Sequence, residues 1–387
     1  MDTILKRLPS FIDQIKEIQE VIISNIVLIG QIPAPTYHEQ ARTEIFLERL
    51  SDAQSDYSAT SDYNIPIGII KGTSNESRAP IFVVAHLDTF FNADIDHNYI
   101  VRKASISGPG ILDNSLGVGV LASLPIIFKH LNLQFESDIV LAGVPQSIGK
   151  GNLQGIRQLL DTWEGPIRGA VIVEGDELGR LNYYSEGIIR GEITCNVLPA
   201  NGGGNRYKPN AIIILNKVID EILAMELPLR PRARVIIGKI NGGFKHGVIA
   251  YNARLGFEIQ SDSEEMVKRM HSEIEDIVNG IGHENHVRLE LNIISNLTPA
   301  TLRYRHPLVK STVSIMKALG LSPASDSGES ELSIFLARKI PAVTLGVTEG
   351  KNVHLENASM KIKPMFTGIA QIIGVIMAID SGVCDEP

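Results

Sequence analysis

Four potential metal-binding side chains, His86, Asp113, Glu174 and His354, each follow an apolar run or a glycine turn of this sequence. His86 ends the run 81–85, and Asp88, two residues on, points the same way at strand periodicity, so a carboxylate can sit beside the imidazole. The turn Gly108-Pro109-Gly110 delivers Asp113 and Asn114 just ahead of an apolar helical segment, Glu174 ends the run 170–173, and His354 follows the run 340–345. Two imidazoles and two carboxylates suit zinc, cobalt or manganese better than calcium. With two ions about 3.5–4 Å apart and one carboxylate shared, such a set activates a water and polarises a carbonyl or phosphoryl oxygen. Each residue also has an ordinary reading. His86 can be a satisfied strand-end histidine, Asp113 a cap for the helix at Ser115, Glu174 a loop carboxylate and His354 a surface residue.

The elements that must position these residues alternate. Strand-like runs at 65–70, 81–85, 138–144 and 170–173 are interleaved with helical spacing at 115–129 and 153–161. That order predicts an α/β unit with a mostly parallel sheet covered by helices, and in such sheets ligands bind beyond the carboxyl ends of the strands. Ahead of it, an amphipathic helix is predicted over 10–29, stopped by Pro33 and Pro35. A second is predicted over 37–50, with Thr36 and Glu39 as a capping box and Ala41, Ile45 and Leu47 facing the core. Helices at 306–319, 330–338 and 363–379 and the strand 340–345 return to the first style near the end of the chain.

Between these halves the pattern changes. A solvent-facing strand at 188–197, a loop at 201–204 and a helix at 211–224 with Ile212, Leu215, Ile219 and Ile222 on one face come first. Strands at 233–240 and 248–259, a helix capped by Ser261 with Glu264 three residues on, and a strand at 287–294 complete the set. We therefore expect one domain made from 1–187 and 299–387 and an inserted α+β lid or dimerisation domain at 188–298, which would pair two copies of the chain.

With 387 residues, 44% of them apolar, the chain is long enough for two cores. A net charge of -8 with no basic run argues against a nucleic-acid surface. Cys195 and Cys384 are the only cysteines and form no metal or disulfide spacing, which fits a reducing cytoplasm. No secretory leader is read at the N-terminus, and 21–32 is broken by Ser24, Asn25 and Gly30, so no membrane span is expected.

The segments His86-Leu87-Asp88, Gly110-Ile111-Leu112-Asp113-Asn114 and Val171-Ile172-Val173-Glu174 resemble, in order, the M20 family of co-catalytic zinc metallopeptidases. The similarity runs on through the lid turn at 238–249, the small-residue and acid turn at 328–332, and 340–346 leading to Val353-His354. It implies a first metal site of His86, Asp113 and Glu174, with Asp113 bridging to a second site completed by His354. Asp88 would orient His86, and the Asp113-Asn114 peptide bond would be cis. It further implies substrate-binding roles for Asn114 and for the lid residues Lys245 and His246, which directly precede the Gly247 that replaces the family's asparagine.

The departures from the family pattern lie at the chemistry. Where the family carries a Glu-Glu pair, the first glutamate a general base and the second a metal ligand, this chain has Gln146 and Ser147, with Ile148, Gly149 and Gly151 holding the register. The lid histidine is replaced near Asn201, and Gln260 stands where an arginine is common. Glutamine takes no proton at neutral pH, and losing a positioned base costs on the order of 10²–10⁴ in rate. Two functions follow from the resemblance. One is a metal-dependent hydrolase of amide bonds in small peptides or N-acyl amino acids, with one or two zinc ions (or cobalt or manganese) and the proton taken by Asp176, Glu177 or Glu331. The other is an inactive scaffold that binds a peptide-like ligand or a partner. A phosphate-binding loop at Gly108 and Gly110 is disfavoured, because it lacks the Lys-Ser/Thr ending and the GxGxxG spacing.

Overall fold

The computed structural model describes every residue except 54, 61–63, 75, 77, 198–208, 328–329 and 387, and residues 57, 58 and 60 by backbone alone. The predicted loop at 201–204, and with it the position near Asn201, lies outside the described residues. The chain divides into two compact units, Met1–Tyr184 with Thr301–Pro387, and Ser185–Ala300.

The first unit is built on a seven-stranded sheet. Its order is Tyr57–Thr60, Pro66–Ile70, Ile139–Val144, Ile81–His86, Gly169–Glu174, Ala342–Gly346 and Leu181–Asn182. The four central strands run parallel and the outer ones antiparallel. Ile81–His86 and Ile139–Val144 are buried at every residue, which is why they read as unbroken apolar runs. Two helical stretches of this unit, Ile111–His130 and Ile362–Asp380, are long and apolar enough to cross a membrane by length and composition, but 89% and 78% of them is buried in the core. A small antiparallel sheet of Gly350–Lys351, Ser359–Lys361, Ser105–Ser107 and Ile100–Val101 frames the loop that carries His354.

Several element boundaries differ from expectation for identifiable reasons. The first helical region starts at Asp2 and is two helices, Asp2–Glu17 and Gln19–Gly30, broken at Ile18. The next helix is Gln40–Asp52, and Thr36 does not cap it, because its hydroxyl donates to Asp88 Oδ2 at 2.8 Å. Its buried stripe is Arg42, Thr43, Phe46 and Leu50, with Ile45 and Leu47 half-buried beside it and Ala41 exposed.

The second unit is an antiparallel sheet in the order Ala233–Gly242, Asn252–Ser261, Gly187–Asn196, Arg288–Leu297. Helices Ala211–Ala224 and Glu264–Glu284 enclose its core, where Ile193, Leu255, Phe257, Leu215, Met270 and Ile274 are buried. Gly187–Asn196 is therefore an interior strand, not a solvent-facing one. Ile212 points outward, since the helix buries Ala211, Ile214, Leu215, Val218 and Ile222. The long helix is capped by Ser263, whose hydroxyl accepts the Met266 N–H, while Ser261 ends the preceding strand and donates to the Arg232 carbonyl. On its polar residues, Gln260 is hydrogen-bonded to Arg234 and Glu258, and Arg234 reaches Glu186 at 3.2 Å, so an arginine from the neighbouring strand lies beside Gln260.

Candidate metal centre

The parallel strands deliver their C-terminal residues to one end of the sheet. His86 pairs with Val144, and Gly346 with Glu174, so the turns after these strands lie side by side. The Asp113 turn is drawn in from a separate segment. Gly110 opens it at φ 67°, a left-handed conformation that suits glycine, and the Asp113-Asn114 peptide bond is cis. Asn114 is fully buried, its amide donating to the Val173 carbonyl at 2.7 Å and its Oδ1 accepting the Gly117 N–H. Asn114 thus ties this turn to the strand that ends in Glu174. Its expected substrate-binding role therefore competes with a holding role, since both polar atoms of the side chain bond within the fold and the residue is fully buried.

His86, Asp113 and Glu174 each present a ligand atom, all within 4.8 Å of one another. His86 Nε2 lies 3.1 Å from Asp113 Oδ1 and 3.9 Å from Glu174 Oε2. Ligand atoms about 2.1 Å from a tetrahedral zinc stand about 3.4 Å apart, so the donor set fits a divalent transition metal in type and spacing. The other ring nitrogen, Nδ1, donates to the Asp88 backbone carbonyl at 3.0 Å, with Asp88 Oδ1 at 3.5 Å, which turns Nε2 toward the carboxylates. Asp88 is itself held rigidly. Its carboxylate accepts from Thr36 Oγ1, the Ser147 N–H and the Ile148 N–H at 2.8, 3.1 and 2.8 Å. Asp113 Oδ2 faces His354 Nε2 at 3.6 Å, so each oxygen of this one carboxylate meets a different imidazole. The His354 side chain is 71% exposed, and its ring packs edge-on against exposed Phe90 at 5.7 Å.

The charges of this cluster are strongly coupled. Burial opposes a charge on His86, but hydrogen bonds to Asp113 and Asp88 and the charge of Glu174 outweigh it and hold the imidazolium well above its usual range. Burial pushes Glu174 up to about 8, with Glu331 and Asp113 adding to the rise and His86 and Arg180 opposing it. Burial also raises Asp176, against the pull of Arg180. Asp88 goes the other way. Burial would raise it, but His86, the Ile148 N–H and the Thr36 hydroxyl bring it below the ordinary carboxylate range.

Comparison with known proteins identifies the fold. A family model described as the peptidase dimerisation domain of M20 matches residues 183–286. A tripeptidase from Staphylococcus aureus superposes with a TM-score of 0.76 at 17% identity, covering 94% of this chain and 99% of that one. The dipeptidase Dug1p from Saccharomyces cerevisiae gives 0.77 at 14% identity, covering 97% and 98%. The fold is that of the M20 peptidases. A third M20 structure, the dinuclear metal-binding peptidase YXEP of Bacillus subtilis, gives 0.66 at 13% identity, covering 95% and 99%. No curated protein sequence matches the chain.

Within this M20 fold the departures have definite places. Gln146 and Ser147 follow the strand Ile139–Val144 beside the His86 turn, and Gln146 adopts φ 56° with its N–H donated to buried Glu39 at 2.9 Å. Ser147 is buried and donates its hydroxyl to Glu331 Oε1 at 2.5 Å. Of the three carboxylates considered as proton acceptors, Asp176 and Glu177 pair with Arg180, at 3.4 and 2.6 Å, and the Glu177 side chain is 60% exposed. Glu331 opens the helix Glu331–Ala337 and is only 1% exposed. Lys245 and His246 lie in an exposed turn of the second unit, after the strand Ala233–Gly242.

Sequence reasoning overlooked Arg42. It is fully buried and donates to the carbonyls of Gly30, Ile32 and Leu87, the last between His86 and Asp88. The hint was an arginine at i-4 to Phe46 on what becomes the buried stripe. Thr36 and Glu39 read locally as a capping box, and their actual partners, Asp88 and the Gln146 N–H, lie 52 and 107 residues away.

Proposed function

We propose that this chain is a metal-dependent hydrolase of amide bonds in small peptides or N-acyl amino acids. The observation that carries the reading is the convergence of His86 Nε2, Asp113 and Glu174 at strand ends, with Asp88 buried behind the imidazole and its carboxylate already fully bonded. His86, Asp113 and Glu174 would hold zinc, or cobalt or manganese, which when bound would supply an acidified water and polarise a carbonyl. His86 contributes Nε2 as a neutral ligand, and the Asp88 carbonyl fixes that tautomer. Asp113 links this site to His354 through its second oxygen. Gln146 can hydrogen-bond a substrate but takes no proton, so that work falls to a carboxylate. Exposed Phe90, Tyr37 and Leu355 supply apolar surface in the same unit, favouring substrates with an apolar side chain.

The lid pairs two copies into a homodimer in this reading. Its edge strand Ala233–Gly242 leaves Ile236 and Ile240 exposed. The free, buried Cys195 and Cys384 fit a reducing, cytoplasmic setting.

The test is release of amino acids from a panel of dipeptides and N-acyl amino acids by the metal-loaded protein, with Asp113→Ala alongside. Turnover that disappears in the variant supports the hydrolase. The replacement of a carboxylate by Gln146 favours a second reading, a scaffold that binds peptide-like ligands without cleaving them. Saturable binding of the same panel with no turnover, at any of the three metals, would select that reading.

A further inference from the structure

Arg42 is fully enclosed in the first unit, on a helix stripe it shares with Phe46 and Leu50. A guanidinium keeps its charge at any ordinary pH, and taking it out of water is costly unless its donors are met. Among the described residues Arg42 forms no salt bridge, and its hydrogen bonds all end on backbone carbonyls. An apolar side chain would fill the same site without that cost.

Two of the carbonyls have an ordinary explanation. Gly30 accepts from Nη2 at 3.2 Å and Ile32 from Nε at 3.1 Å, both at the C-terminal end of the helix Gln19–Gly30, where carbonyls lack partners and a cation is favoured. The third carbonyl belongs to no helix end. Arg42 Nη1 donates at 2.9 Å to Leu87, the residue between His86 and Asp88. The Leu87 N–H is bound to the Val144 carbonyl at 2.8 Å, so this residue is fixed on both sides. The peptide unit that carries the Leu87 carbonyl also carries the Asp88 N–H, and it is rigid. Its plane decides where Asp88 begins, and the Asp88 carbonyl turns the His86 ring by accepting from Nδ1 at 3.0 Å.

We propose that Arg42 is a positioning residue of the metal centre: by holding the Leu87 carbonyl it sets the Leu87-Asp88 peptide plane, and with it the direction in which His86 Nε2 faces Asp113 and Glu174. The role rests on the metal site proposed above and extends it to a side chain that meets no ion itself.

Zinc affinity of the full-length protein, read by competition with a chelating dye, tests it. Loss of an outer hydrogen bond that orients a ligand lowers metal affinity about 10–100-fold, and that loss is expected in Arg42→Met. Leu50→Ala empties a core site on the same helix stripe, is destabilised comparably, and should bind zinc as the wild type does. NMR of the metal-free proteins gives a second readout. The His86 Nδ1 proton, shielded by the Asp88 carbonyl, should be seen in wild type and Leu50→Ala and be lost to exchange with water in Arg42→Met. Wild-type affinity in Arg42→Met, or an equal loss in Leu50→Ala, would overturn the proposal and leave the metal site standing. Weaker binding with the Nδ1 proton kept would also overturn it, since the effect would then not pass through His86. If Arg42→Met fails to fold, Arg42→Lys decides, because lysine keeps the charge but loses the planar fork. Weakened binding in that variant supports the role, and wild-type affinity refutes it. Zinc binding by none of the proteins, wild type included, removes the metal site and the role of Arg42 together.

Discussion

Metal binding by this protein should be steeply pH-dependent, and the coupled protons of the centre set the slope. Without an ion, His86 carries a proton held by Asp113 and Asp88, and Glu174 is protonated up to about pH 8. Both protons must leave before the two residues can ligate. Each proton displaced changes the apparent affinity about tenfold per pH unit, the equivalent of about 1.4 kcal/mol. Between pH 6 and 7 both are displaced, so affinity should climb about a hundredfold, and only about tenfold in Glu174→Gln. The metal-free fold should respond in the opposite sense. Glu174 rises from 4.5 to about 8 on folding, so between these values the native state holds a proton that the unfolded chain has released. His86 adds to this with its own raised value. Stability of the metal-free protein is therefore greatest at the acid end of this window and falls as the pH climbs through it, by on the order of a few kcal/mol. Competition against a chelating dye at half-unit steps from pH 6 to 8, with thermal melts of metal-free protein at the same values, measures both. An affinity flat with pH, or a slope unchanged in Glu174→Gln, would refute the coupling.

Other consequences are equally direct. Asp88→Ala strands the Ser147 and Ile148 N–H groups and the Thr36 hydroxyl, and should lower unfolding stability in urea by about 2–4 kcal/mol. Arg42→Met leaves carbonyls of Gly30, Ile32 and Leu87 without their donor, and a loss of about 3 kcal/mol is expected in the same titration. Gln146→Glu restores a proton acceptor beside the centre and should raise dipeptide turnover by about 10²-fold or more, read by amino-acid release. If the chain pairs through this edge strand as proposed, Ile236→Lys with Ile240→Lys should turn a wild-type dimer into a monomer in sedimentation velocity, and a wild-type monomer or an unchanged dimer would remove the edge strand from that role.

The parts of this molecule that could be read in sequence are those where local chemistry and tertiary packing agree. Strands buried on both faces, such as Ile81–His86, leave a run that ends at a polar residue, and the ends of such runs mark the site. The order of segments resembling the M20 family likewise anticipated the fold. Boundaries went astray where a side chain serves a distant partner. Thr36 has the sequence of a helix cap but bonds Asp88, 52 residues away, and the helix begins later. Ser261 and Ser263 both precede the long helix, and only the geometry of the strand end assigns the cap to the second. Asn114, beside a ligand, reads as a substrate contact, yet its amide is consumed in tying two turns together. The Ser147–Glu331 contact joins residues 184 apart and has no local trace at all.

If His86, Asp113 and Glu174 form a working metal site, elemental analysis of the purified, dialysed protein should find stoichiometric zinc, cobalt or manganese in the wild type and none in Asp113→Ala. Wild-type protein that remains free of metal after exposure to excess ion at pH 8 would contradict it.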